Sequence, residues 1–231
     1  MSAAQHVLDD MAWHALSGPQ AALAESAPGG EARRYRDDIA PFCGVERLDT
    51  RGWEALAELV GPQGVAVFLR GEVEPAPGGW TELLREPATQ YVAGDLADPP
   101  AATREVVELS ASDVADMVRL AAETDPGPFG PNSHLTGRWF GVRRGGRLVA
   151  MAGERMRVDG FGEVSGVCVD PAVRGEGLGA VVTLAAAHGI QERGDRAMLH
   201  VRAGNDGAHR LYRRVGFEVR RPVTVAVLRR Q

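Results

Sequence analysis

The stretch Arg174-Gly175-Glu176-Gly177-Leu178-Gly179-Ala180 lies between an extended apolar segment ending at Val169 and an apolar run to Ala187, and it limits what this chain can build. Three glycines in five residues leave backbone N–H groups uncovered and permit positive φ. A helix beginning there turns its first unpaired amides, and the positive end of its dipole, toward whatever lies ahead of it. Such an end binds anions, phosphate above all. All 26 basic residues are arginine, which excludes a lysine Schiff base, a lysine nucleophile and the lysine-bearing Walker loop. Phosphate bound here is held by amides and guanidinium groups.

Charge is spread unevenly. Residues 1–103 hold 7 Arg against 16 Asp and Glu, while residues 171–231 hold 11 Arg against 5 acids, in a chain of net charge −5. A basic C-terminal segment behind the glycine loop suits a small polyanion. Sparse aromatics there and an acidic whole argue against nucleic acid. No apolar run reaches the roughly 20 residues of a membrane span. The N-terminus shows neither the basic start nor the apolar block of a signal peptide, so a cytoplasmic protein with no membrane partner is expected. Cys43 and Cys168 stand in no metal or redox spacing and read as buried, reduced thiols. The six histidines show no metal spacing either, so no metal is expected.

Residues 1–100 read as a mixed α/β N-terminal domain. Leu8–Ala24 is helical in composition but broken at Gly18-Pro19; Trp53–Val60 is amphipathic; Gly64–Arg70 has the continuous apolar character of a buried strand. Glu74–Gly79 reads as a loop and Leu96–Thr103 as a linker. Residues 101–231 read more sharply. A short strand from Arg104 precedes a helix capped by Ser110 or Ser112, with Val114, Met117, Val118 and Ala121 on one face. After a Pro- and Gly-rich loop, turns at Gly145-Gly146 and Asp159-Gly160 join three strands into an antiparallel meander. The glycine loop and its helix follow, then a strand at Arg196–Arg202 and a helix headed by Asn205 and ended by Gly216. Phe217–Arg230 closes the chain as one bent strand or two. Gly175-x-Gly177-x-x-Ala180 also matches a loose dinucleotide fingerprint, but four residues separate it from the preceding strand and that strand is hairpin-linked.

This order, together with Val167-Cys168-Val169-Asp170-Pro171, Arg174-x-x-Gly177-x-Gly179, Asn205 and Ala208-x-x-Leu211-Tyr212-x-x-x-Gly216-Phe217, resembles the GNAT superfamily of acyl-CoA-dependent N-acetyltransferases over Arg104–Arg230. The resemblance implies an α/β (α+β) fold with a mixed, mainly antiparallel central sheet flanked by helices, and acetyl-CoA as co-substrate. It implies that Arg174, Gly175, Glu176, Gly177, Leu178, Gly179 and Ala180 wrap the pyrophosphate. The backbone of Val167, Cys168 and Val169 would pair with the pantetheine arm, so the strands at Glu163–Val169 and Arg196–Arg202 must part, because fully paired strands leave no free amides. Asn205 would contact the arm or cap its helix. Tyr212 would protonate the departing thiolate, although its place beside Ala208, Leu211 and Val215 also reads as a core aromatic. Cys168, with no base in sequence reach, reads as core or pocket wall before nucleophile.

Glu163, four residues before Val167, matches the glutamate that activates the amine in histone-type members, and its apolar flanks predict a raised pKa. Glu154 on the neighbouring strand competes for that role, and each also reads as a solvated strand carboxylate. The layout is similar to glycine N-acyltransferase-like members, whose N-terminal region shapes the acceptor pocket. Acceptor contacts are expected from the loop Asp125–Gly137. The implied reaction is acetyl transfer to a primary amine of a small molecule or peptide, by direct attack with base and acid assistance. The alternative is an acyl-CoA-binding regulatory protein without turnover; a homodimer is left open.

Overall fold

Apolar alternation in the second half of the chain produces strands that pair in sequence order, and the computed structural model, which describes residues 6–98 and 105–231, shows how they join. Strands β6 (Val106–Leu109), β7 (Trp139–Arg144), β8 (Arg147–Val158) and β9 (Phe161–Val169) form an antiparallel run, the last three being the expected meander. Strand β10 (Arg196–Arg202) lies parallel to β9. Strands β5 (Trp80–Ala93), β11 (Phe217–Arg230) and β4 (Val65–Arg70) continue the sheet in antiparallel pairs. The order is β4-β11-β5-β10-β9-β8-β7-β6, and β1 (Ala24–Ser26), β2 (Ala32–Tyr35) and β3 (Cys43–Val45) make a separate small sheet. The large sheet is mixed and mainly antiparallel, as expected, and β11 is a single strand with a bulge between Val219 and Arg221.

Helices cover both faces. On one, α4 (Leu178–Gln191) and α5 (Asp206–Arg214) pack against Ala150, Ala152, Val164, Leu199 and Val201. On the other, α3 (Val114–Thr124) meets Met151 and Cys168, while α1 (Met11–Ser17) and β2 meet Met156 and Met198. Helix α2 (Thr50–Val60) joins the small sheet to β4. Nine of the 14 residues of α4 are buried, which is why its sequence is apolar all round rather than on one stripe. A capping box of Ser110 and Asp113 starts the turn before α3, which buries Met117, Leu120 and Ala121 and leaves the expected Val118 exposed.

The division expected at residue 100 does not follow the sheet. Strands β4 and β5 come from the first hundred residues, and β5 is inserted between β11 and β10. Sequence hides β5 because Pro87 interrupts it and Thr81–Arg85 are exposed, so it shows neither alternation nor a continuous apolar run. The expected linker lies mostly in residues 99–104, outside the described residues.

Two irregularities shape β9. Gly166 and Val167 stand opposite the single residue Ala152, and Arg155 and Met156 stand opposite Glu163. Pairing with β10 covers only Phe161–Glu163 against Arg196–Met198, after which the ladder stops. Gly166 has φ +63°, and a Cβ there would lie 2.6 Å from the Trp139 ring. Gly166→Ala therefore adds a clash to the cost of about 1–2 kcal/mol for a left-handed alanine. Gly145, φ +56° with nothing near its Cβ position, carries only that cost. Chemical denaturation is expected to show Gly166→Ala losing at least about 1 kcal/mol more than Gly145→Ala; equal losses would mean the bulge does not depend on this glycine.

Candidate active site

The loop after β9 is built to leave amides bare. Asp170 caps the short turn Pro171–Val173, and the chain reaches Gly175 (φ +89°) and Gly177 (φ +79°), the N-cap of α4. Among the described residues no side chain caps α4. The N–H groups of Gly175, Glu176, Gly177, Leu178 and Gly179 have no acceptor among the described residues. Among the described residues nothing lies within 4 Å of a Cβ built on Gly175 or Gly177, so the loop is open on that side. Leu178 is buried and anchors the helix, and Ala180 packs against the same core. Gly179 lies beside α5, its Cβ position 3.4 Å from Leu211, an ordinary contact that a methyl group could fill. Arg174 is exposed and donates from Nε to the Val169 carbonyl at 3.3 Å, which leaves its terminal nitrogens for an anion. The side chain of Glu176 is exposed, and only its amide suits a phosphate.

The fork between β9 and β10 begins beside this loop. Past Glu163 the β9 edge formed by Val167, Cys168 and Val169 has no strand partner on the β10 side among the described residues. Val167 and Val169 pack toward α4, and Cys168 points to the α3 side. Burial pushes the Cys168 thiol up to about 11, so it is a protonated wall residue. Tyr212 is buried on α5 with its ring edge-on to Phe217. Burial, and then the nearness of Cys168, push its hydroxyl well above the usual tyrosine range, so it carries its proton at neutral pH. Asn205 is exposed and caps α5, its Oδ1 accepting from the Ala208 amide at 3.0 Å.

Glu163 departs from expectation. Its side chain is fully buried, and Oε1 accepts from Arg155 Nη2 at 2.6 Å and from His200 Nδ1 at 2.7 Å, with Oε2 on Arg155 Nε at 2.9 Å. Burial pushes the carboxyl up, but the charge of Arg155 and the hydrogen bond from His200 overcome it and hold the pKa at about 2. The raised pKa expected from apolar flanks is thus corrected, because those flanks are not what the carboxylate touches. Both oxygens are engaged, and a base role at the amine requires the pair to open. Glu154 is no freer: Arg193 grips both its oxygens, at 2.9 and 2.7 Å.

His200 was not singled out by sequence, and no local pattern encodes the parallel register that brings it to Glu163. Gln90 fixes its tautomer. The Gln90 amide nitrogen donates to the Leu8 carbonyl at 2.8 Å and its oxygen accepts from Arg220 at 2.6 Å, so its nitrogen also donates to His200 Nε2 at 2.9 Å. His200 Nδ1 then carries the proton given to Glu163. Arg220, Gln90, His200, Glu163 and Arg155 thereby form a row across β11, β5, β10, β9 and β8. Arg155 did have a sequence signal, since the Asp159-Gly160 turn sets Met156 opposite Glu163 and the bulge brings Arg155 alongside.

Beyond Arg155 a narrow cleft is lined by Ile39, Phe129, Thr136, Trp139, Arg155 and Ser165. The loop Asp125–Gly137 forms one wall. The N-terminal segment forms another: Ser133 Oγ donates to the Ile39 carbonyl at 2.5 Å, and buried Gln20 donates to the carbonyls of Thr136 and Arg155 at 2.8 and 3.0 Å. Among the described residues no three of His, Cys, Asp and Glu gather as metal ligands, and no helix is long and apolar enough to cross a membrane.

Residues 139–225 match the FR47-like protein family. A stretch of 79 residues is 43% identical to the mycothiol acetyltransferase of Thermomonospora curvata, covering 34% of this chain and 27% of that one. A solved structure of a GNAT-family protein from Novosphingobium aromaticivorans, assigned as an acetyltransferase, is 35% identical and superposes with a TM-score of 0.87 over 98% of this chain and 100% of that one. The GCN5-related N-acetyltransferase of Kribbella flavida, at 24% identity, shares the fold with a TM-score of 0.65 over 98% of this chain and 96% of its own.

The buried pair sets a dependence of stability on pH. The folded pKa of Glu163, about 2, lies below its ordinary 4.5, so its contribution is present above pH 4.5 and lost as pH falls toward 2. Glu163→Gln leaves Arg155 without its counter-charge and is expected to lower the unfolding free energy at pH 7 by about 3 kcal/mol. The gap to wild type is expected to close between pH 4.5 and 2 in denaturant titrations. A gap that stays constant with pH would show that Glu163 is not ionised in the folded protein.

Proposed function

Because the chain belongs to the GNAT family of acetyltransferases, we propose that it moves an acetyl group from acetyl-CoA to a primary amine. The observation that carries this reading is the row of unpartnered amides at 175–179 beside the unpaired β9 edge, which fit a pyrophosphate and the arm behind it. Gly175 to Gly179 bind the pyrophosphate by backbone, Arg174 adds charge, and Val167 and Val169 hold the arm as a third strand in the fork. An amide of the same segment then lies near the thioester oxygen and stabilises the charge that grows there. The amine nitrogen attacks the carbonyl carbon, the C–N bond forms and the C–S bond breaks. Tyr212, protonated because it is buried, gives its proton to the leaving sulfur. The nitrogen gives its surplus proton to solvent water, and Tyr212 is reprotonated from solvent, so the protons balance. Glu163 acts as an anchor for Arg155 and His200, not as the group that takes the amine's proton.

The sealed carboxylates favour one second reading, a CoA-binding protein without turnover. Thiol release in the presence of acetyl-CoA and a panel of amines, beside calorimetric titration with CoA, separates the two. CoA binding with no thiol release from any amine would favour the second reading.

Gly177→Val strains a left-handed position by about 1–3 kcal/mol and fills open space before the helix. It is expected to weaken CoA binding at least about tenfold with little change in fold, and Arg174→Ala, which removes a charge-assisted contact, is expected to be milder. Unchanged CoA affinity in the valine variant would place the phosphates elsewhere. Tyr212→Phe is expected to keep CoA binding and slow turnover by about 10²-fold, without recovery as pH rises.

A further inference from the structure

Strand β5 is paired on both sides for only part of its length. It runs beside β11 from Trp80 to Ala93, but β10 reaches only Ala88–Val92, and the Ala203 amide ends that side by donating to the Pro87 carbonyl at 3.0 Å. From Thr81 to Glu86 the second edge has no strand partner among the described residues. Thr81–Arg85 are all exposed, with Leu83 at 44% and Leu84 at 37%. A free edge is a template for another strand, and chains guard it with charge, proline or a bulge. The guards present here do not repel a second copy of this chain. Pro87 lies past the end of the free stretch. Glu82 and Leu84 face the successive β11 residues Leu228 and Val227, so the bulged residue is Leu83, and what it presents is apolar.

The charges complement themselves. Arg85 donates from Nε and Nη2 to Glu82 Oε2 at 3.0 and 2.7 Å, so the two lie side by side along the strand. Set Thr81–Glu86 antiparallel to itself about a two-fold axis between Leu83 and Leu84. Glu82 then faces Arg85 of the second copy, Arg85 faces its Glu82, and four leucines meet at the centre. The two intrachain pairs close into a square of alternating charge. Opposite charges and apolar side chains facing each other across strands stabilise a sheet, and like charges there destabilise it. Leu84 also prolongs the apolar row of Val67 and Val227, which the second copy continues from its own side. The geometry points to a homodimer in which Thr81–Glu86 of two copies pair antiparallel across a two-fold axis, joining two eight-stranded sheets into one. A wholly acidic or wholly basic strand from another protein would satisfy only one of the two charges.

Analytical ultracentrifugation of the full chain is expected to show a dimer in the micromolar range. Glu82→Arg makes all four central charges positive, and Arg85→Glu makes all four negative. Each is expected to weaken the dimer at least about tenfold, because two-fold symmetry counts every change twice. Both positions are exposed, and circular dichroism melts are expected to show both variants folded. Mixing the two single variants sets arginines opposite glutamates again and is expected to give a heterodimer about as tight as the wild type. The double variant Glu82→Arg/Arg85→Glu is expected to regain its own dimer. Amides of Thr81–Glu86 are expected to exchange more slowly in the dimer than in a single variant held monomeric. A wild-type chain that stays monomeric throughout the micromolar range would overturn the inference. So would a dimer indifferent to both single variants, or a mixture of them that associates no better than either alone.

Discussion

The parallel ladder between β9 and β10 lasts three residue pairs and then stops, and the proposed chemistry depends on what that interruption leaves over. A continued ladder would satisfy every amide of Val167–Val169 and close the sheet. Instead one strand edge is unpaired in the middle of an eight-stranded sheet, where a backbone group without a partner is tolerated only next to water or a ligand. The bulge at Gly166 bends β9 at the start of this gap, and the glycine loop follows directly at its end. Strand edge, loop amides and helix dipole thus face one region from consecutive segments of chain.

The other side of the fork is held by charge. Glu163 sits in the last pair of the ladder, opposite Met198, and His200 stands two residues further along β10. Their hydrogen bond, backed by Gln90 and Arg220 on one side and by Arg155 on the other, ties five strands at the level where two of them part. A buried carboxylate is tolerated there because Arg155 neutralises it and every lone pair in use has a donor. The same row connects the first residues of the chain to the site, since Gln90 also bonds the Leu8 carbonyl and Arg220 bonds Asp9. The N-terminal segment also meets β8 and the cleft beside it, through the bond of Gln20 to the Arg155 carbonyl and through Ile39.

Much of the second half of the chain was legible in the sequence. The turns Gly145-Gly146 and Asp159-Gly160 gave the meander, and Gly177 and Asn205 marked helix starts that the structure has. What was hidden has physical causes. β5 pairs on both sides, but its outer half is solvated and it carries Pro87, so no periodicity betrays it. The surroundings of Glu163 could not be read from its neighbours in sequence, because its real contacts lie on the next strands, eight and 37 residues away. A pKa inferred from flanking residues fails wherever side chains pair across strands. Trp139 was visible as an apolar strand residue, but nothing local tells that its N–H has no acceptor among the described residues.

Amide hydrogen exchange, followed residue by residue with and without CoA, addresses the fork directly. Slowed exchange is expected at Val167, Val169 and the amides from Gly175 to Gly179, with the already paired amides of Phe161–Glu163 little changed. Protection confined to another part of the surface, with those seven amides exchanging as before, would contradict it.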